Sequence, residues 1–139
     1  EASSQGVEQL MVPVSGQITR PYGWVVNSDQ SRIFSDGIII AAPENTPVKA
    51  AMSGKVSRIA NHEELGRIIE ISNEQGYTIT YGHCKEILVN LDDEITAGQV
   101  IARVGKTGNA PTAQLYLRIV KDKKTLDPAK LFLTTANQT

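Results

Sequence analysis

The chain has a single cysteine, Cys84, so no disulfide can form within it, and one thiol does not fix a redox compartment. It has no excess of either charge: fourteen basic residues against fifteen acidic ones give a formal net charge of −1. That balance supplies no field to attract nucleic acid or an anionic membrane. The charges are mixed along the chain, and the densest cluster, Lys121-Asp122-Lys123-Lys124, reads as a hairpin turn. No apolar run is long enough to cross a bilayer, and no signal peptide is recognisable. The sequence begins at Glu1 rather than at an initiator methionine. It therefore reads as a mature or trimmed fragment whose upstream anchor or leader has been removed.

What is present suits one domain with a real core, because 139 residues bury enough surface for one. The organising stretch is Phe34 to Val48. There Ile38, Ile39 and Ile40 run without alternation into Ala41-Ala42-Pro43. A β-branched run buried on both faces predicts a central strand. Pro43 has no N–H to donate and ends it, and Glu44 to Pro47 form the turn that follows. Gly37 before the run predicts a close backbone approach. The polar pair Ser35 and Asp36 stands at the mouth of the strand, where a β protein places a site.

The remaining pattern is β throughout. Strands are expected over Val48–Ala50, Gly54–Ile59, Arg67–Ser72, Tyr77–Tyr81, Val100–Val104 and Gln114–Val120. Asn61–Gly66 and Asn73–Gly76 read as turns between them, Asp92–Glu94 as a polar turn, and Gly105–Thr112 as a glycine-rich loop. Trp24 to Arg32 is polar after its first residues and reads as an exposed loop. Asp127 and Pro128 predict the N-cap and first turn of a short closing helix reaching Phe132. The organisation is a flexible lead-in over 1–11, a domain over 12–133 and a polar tail over 134–139. The fold class is all-β, an antiparallel sandwich or partly open barrel. Cys84 falls in an expected strand and reads as a buried small hydrophobe. His83 beside it does not activate it, since successive strand side chains point to opposite faces.

The order of motifs resembles one known family. Ser35-Asp36-Gly37-Ile38-Ile39-Ile40-Ala41-Ala42-Pro43 is similar to the first metal motif, His-x-Gly-x-Asp followed by an aliphatic residue and Ala-Ala-Pro, of the M23 zinc metallopeptidases. These are the LytM or lysostaphin-like cell-wall endopeptidases. Tyr81-Gly82-His83 resembles their Tyr-x-His motif, Ala97-Gly98-Gln99-Val100-Ile101 their Gly-Gln-aliphatic segment, and Gly105-Lys106-Thr107-Gly108 their Gly-x-Thr-Gly turn. Gln114-Leu115-Tyr116 falls on His-x-His, and Asp127-Pro128 on the closing Asp-Pro. The resemblance runs from about Val14 to Phe132 and implies the LytM-like, duplicated-hybrid-motif fold.

The same resemblance implies a zinc site whose ligands are missing. The family's three ligands fall on Ser35, Ile39 and Tyr116, and its general-base histidine on Gln114. A hydrocarbon cannot coordinate zinc, serine and neutral tyrosine are poor ligands near pH 7, and an amide has no useful basicity. His83 alone survives among the family's catalytic residues, and one imidazole cannot hold zinc. The other histidine, His62, falls in a turn. Asp36 is a single carboxylate for a hard cation, which makes a weak site. Ser35, His83 and Asp36 contain the groups of a hydrolase triad, but no nucleophile elbow accompanies them. Strand alternation puts Gln114, Tyr116 and Arg118 on one face. Ser35, Asp36, His83, Gln114, Tyr116 and Arg118 are therefore the candidate binding groove.

By this resemblance the chain is a catalytically inactive binding or scaffolding module of the bacterial cell envelope, with no cofactor. Non-catalytic members of the family include a sporulation-channel type that docks a partner ectodomain and a division type that switches on a cell-wall amidase. The expected partner is an envelope protein of one of these kinds, with peptidoglycan as a further ligand and no nucleic acid. The expected location is extracytoplasmic, with membrane contact only through a segment outside this sequence. The alternatives are a peptidoglycan metalloendopeptidase and a peptidoglycan- or peptide-binding module.

Overall fold

The computed structural model describes residues 10–132, so lead-in residues 1–9 and tail residues 133–139 lie outside the described residues. Twelve strands follow one another: β1 Gln17–Arg20, β2 Gly23–Val26, β3 Arg32–Ser35, β4 Ile38–Ala41, β5 Pro47–Lys49, β6 Gly54–His62, β7 Gly66–Ser72, β8 Tyr77–Ile87, β9 Glu94–Ile95, β10 Val100–Val104, β11 Gln114–Lys121 and β12 Lys124–Leu126. Every ladder between them is antiparallel. Ten strands share one sheet, whose main path is β1-β4-β11-β8-β7-β6-β9, while β10 joins β8 to β5 and β12 lies on β11. The path ends at β1 and β9, so the sheet does not close.

The isoleucine run forms β4, as its composition predicts. It is paired on both sides, by β1 and β11, and Ile38, Ile39 and Ile40 are all buried. The turn after Pro43 is held by the Thr46 N–H and hydroxyl, which both donate to the Pro43 carbonyl. The core gathers β4, β7, β8, β10 and β11 around Tyr81, whose buried hydroxyl accepts the Ala51 N–H at 2.9 Å. Cys84 is fully buried in this core, and burial pushes its thiol up to about 12. Packed structure already includes Leu10, which is fully buried and donates its N–H to the Leu131 carbonyl at 2.7 Å.

Two expectations are corrected. The segment from Trp24 to Arg32 is not a loop: its ends belong to β2 and β3, which pair as a separate two-stranded hairpin. Only the tip is irregular, closed by Asp29, which accepts from the Ser31 N–H and hydroxyl. The closing helix is a single 3-10 turn over Pro128–Lys130, although Asp127 caps it as expected by accepting the Ala129 N–H. The basic cluster at 121–124 is indeed a hairpin turn, with Asp122 and Lys123 both at positive φ.

Candidate functional site

Strand β8 sets the site by breaking its own register. Tyr81 pairs with Ile69 and Cys84 with Arg67, so Gly82 and His83 together face one residue of β7. This is a bulge, and His83 carries the left-handed backbone it needs, at φ 63°. The His83 N–H donates to the Leu65 carbonyl at 2.6 Å. Its Nδ1 lies 2.7 Å from the Thr107 carbonyl. A carbonyl only accepts, so Nδ1 carries the proton and Nε2 is left with its lone pair. The ring is buried, and desolvation lowers its pKa, opposed by the hydrogen bond to Thr107.

Thr107 is the hub of that corner. Its hydroxyl donates to the Cys84 carbonyl at 2.8 Å and accepts the Arg67 N–H at 3.0 Å. Gly108, at φ 76°, brings the loop so close to the turn before β7 that a Cβ there would lie 2.4 Å from the Gly66 nitrogen. The Asn109 N–H closes the contact on the Glu64 carbonyl at 2.8 Å. The Gly-x-Thr-Gly sequence is thus the stitch that fixes the imidazole.

A cleft of 450 Å³ opens beside His83. β1 contributes Thr19 and Arg20, β4 contributes Ile39, and β11 contributes Gln114 and Tyr116. Glu64 and Leu65 of the turn before β7, with Asn109 and Pro111 of the glycine-rich loop, complete the lining. Tyr116 is at the centre of the register, opposite Ile39 on one side and Gly82 on the other. Its ring stands edge-on to His83, with centroids 6.4 Å apart. Its hydroxyl donates to Asp36 Oδ1 at 2.6 Å, and Arg118 Nη1 lies 3.4 Å from Asp36 Oδ2. Burial, then the hydrogen bond to Asp36, raises the Tyr116 pKa well above the ordinary phenol value. Arg118 Nε is buried without a hydrogen-bond partner among the described residues.

The structure brings three of the six expected groove residues, His83, Gln114 and Tyr116, onto the cleft wall, together with Ile39. Ser35, Asp36 and Arg118 are not in the lining. Ser35 is buried and donates its hydroxyl to the Gly37 carbonyl at 2.8 Å, while Asp36 and Arg118 hold each other and Tyr116. The hydrolase-triad grouping is not assembled, since the hydrogen bonds of Ser35, His83 and Asp36 go to Gly37, Thr107 and Tyr116 respectively. His62 lies at the end of β6, where its Nδ1 accepts the Glu64 and Leu65 N–H groups at 3.0 Å each. Thr19, Arg20, Glu64, Leu65, Asn109 and Pro111 are lining residues that sequence reading missed. Their types carry no motif, and only the ladder of β1 on β4 and the stitch at Gly108 bring them to the cleft.

The donor set does not fit a catalytic zinc. Such a metal takes three nitrogen, sulfur or carboxylate ligands. Here the paired positions on β4 and β11 offer a hydrocarbon, Ile39, and a protonated phenol committed to Asp36. Both Asp36 oxygens are engaged, so a hard cation would have to displace Arg118 or Tyr116. Among the described residues no three His, Cys, Asp or Glu side chains are grouped closely enough to hold a metal.

Comparison with known proteins places this geometry. The model of peptidase family M23 matches residues 33–128. The uncharacterised lipoprotein YgeR of Escherichia coli is 32% identical over 119 residues, which is 85% of this chain and 45% of YgeR. The murein hydrolase activator EnvC of the same organism is 29% identical over 120 residues, covering 86% of this chain and 28% of EnvC. The chain therefore spans less than half the length of these relatives. A chain in the crystal structure of a SpoIIIAH and SpoIIQ complex superposes with a TM-score of 0.75 at 20% identity. That superposition covers 88% of this chain and 99% of that one, and shows a common fold.

Proposed function

We propose that this chain, which belongs to peptidase family M23, acts without catalysis as a binding or scaffolding module of the bacterial cell envelope, outside the cytoplasmic membrane. One observation carries the reading. The strand positions that meet at the centre of the cleft are Ile39 and Tyr116, and the phenol of Tyr116 is spent on Asp36. A site so filled offers no ligand set for a Lewis acid, and its one uncommitted base, His83 Nε2, is left without a metal-bound water to act on. The family fold survives around it, and fold alone does not confer chemistry. A partner of the cell-wall hydrolase class is supported by the likeness to EnvC, whose name describes an activator of murein hydrolases. A sporulation role, with a channel ectodomain as the partner, has the SpoIIIAH and SpoIIQ fold likeness behind it. The envelope location is supported by the lipoprotein relative.

A second reading has an observation of its own. The cleft persists, and it presents Arg20, Gln114 and the free Nε2 of His83, which suit the carboxylates and amides of a cell-wall peptide. Incubation with purified peptidoglycan and added zinc separates these readings. The proposed function predicts no new soluble muropeptides. Cleavage products that disappear with a chelator would overturn it in favour of a metalloendopeptidase. Co-sedimentation of intact protein with the sacculus, blocked by Gln114→Ala, would favour the peptide-binding reading.

A further inference from the structure

Aromatic side chains are scarce in this sequence, with one tryptophan, two phenylalanines and four tyrosines, and the structure spends two of its largest on solvent. Trp24 is 67% exposed, Val26 64% and Phe34 47%. All three lie on the hairpin β2–β3. Trp24 is directly opposite Phe34, and Val26 directly opposite Arg32, so the four side chains share one face. The rings are fixed rather than loose: Phe34 makes edge contacts with Trp24 at 5.4 Å and with Tyr22 at 5.3 Å. Tyr22 is anchored in turn by its hydroxyl, 2.8 Å from Thr125 Oγ1. The Arg32 guanidinium lies 5.7 Å from the centre of the Trp24 ring. Among the described residues Arg32 has no carboxylate at ion-pair distance.

An isolated two-stranded hairpin is marginal in water, and a contiguous exposed apolar face on one is a place where something else packs. We propose that this face docks a partner protein through a segment that combines aromatic or aliphatic side chains with flanking carboxylates. This deepens the reading of the chain as a binding module and rests on it. Charge selects the occupant: the one ionic group on this face is Arg32, which lies over the Trp24 ring and has no carboxylate partner among the described residues. Preorganised aromatic and arginine anchors are the side chains that dominate protein interfaces. A second copy of this chain is disfavoured, because the same face on that copy would offer Arg32 no carboxylate. A membrane surface is disfavoured as well. The part of the hairpin that would enter first is the tip, Asn27-Ser28-Asp29-Gln30-Ser31, which is polar, exposed and carries an acid.

Trp24 is the sole tryptophan, so intrinsic emission reports on this face directly. The test selects binders for this chain from a displayed library of random peptides and titrates the strongest into the protein. The expected peptides pair aromatic or aliphatic residues with Asp or Glu and shift Trp24 emission to the blue. They lose about tenfold or more in affinity for Phe34→Ser. For Arg32→Glu the preference turns towards basic peptides. The exposed substitutions are checked for unchanged secondary structure by circular dichroism. The proposal is overturned if no peptide is retained, or if the selected peptides bind Phe34→Ser as tightly as wild type. It is equally overturned if the emission shift comes instead from anionic lipid vesicles or from concentration-dependent self-association. Zinc uptake or peptidoglycan cleavage would remove the non-catalytic reading without moving any of these readouts.

Discussion

Tyr116 stands opposite Ile39 at the centre of the cleft, and it uses its one polar atom to tie down Asp36. A hydrogen bond to a charged acceptor that is part-exposed contributes about 1 kcal/mol. Tyr116→Phe should therefore lower the unfolding free energy by that amount, read as a lower urea midpoint at an unchanged m-value, since Asp36 keeps Arg118. An unaltered midpoint would mean that the phenol adds nothing to stability. His83 sets a pH dependence. Its folded pKa is lowered from 6.5, chiefly by burial, so below 6.5 the unfolded chain takes up a proton that the folded one refuses. More protons in the unfolded state mean that stability rises with pH across that window. Stability should thus fall as the solution is acidified from 6.5 towards the lower folded value. His83→Gln should flatten that part of the curve when Tm is followed against pH, and an unchanged slope would contradict the burial of a neutral ring.

At the scale of the element, β4 and β11 lie close because Gly37 has no side chain. A Cβ there would sit 2.5 Å from the Leu117 carbonyl oxygen and 3.0 Å from Tyr116 Cε1. Gly37→Ala should cost about 1–3 kcal/mol as an overpacking change, read by thermal denaturation. Tolerance of alanine would show that the ladder has slack. This approach was legible in the sequence, as was β4 itself, because an unbroken isoleucine run followed by proline has few other readings. The alternation of Gln114, Tyr116 and Arg118 was legible too, but what those side chains do was not. Arg118 is drawn to Asp36 and leaves the cleft, an outcome set by the loop between β3 and β4 rather than by β11. The hairpin β2–β3 was hidden because its five polar tip residues outweigh two four-residue strands in any window read along the chain. The bulge at Gly82 and His83 carried no signal beyond the glycine. It depends on a long-range contact with the loop at Thr107.

Taken whole, the molecule has the fold of peptidase family M23, and we propose that it serves binding rather than catalysis. The stitch at Thr107 fixes the imidazole, and the ladder of β4 on β11 brings Ile39 and Tyr116 together beside it. The exposed aromatic hairpin gives the same body a surface for association. Whether the site can hold zinc is read by elemental analysis of untagged protein purified in the presence of zinc. The variant Ser35→His, Ile39→Asp, Tyr116→His, which puts a nitrogen or carboxylate donor at each position where the resemblance implies a zinc ligand, serves as the comparison. The wild type should carry metal near background and the variant should take up zinc clearly. Near-stoichiometric zinc in the wild type would contradict the non-catalytic reading.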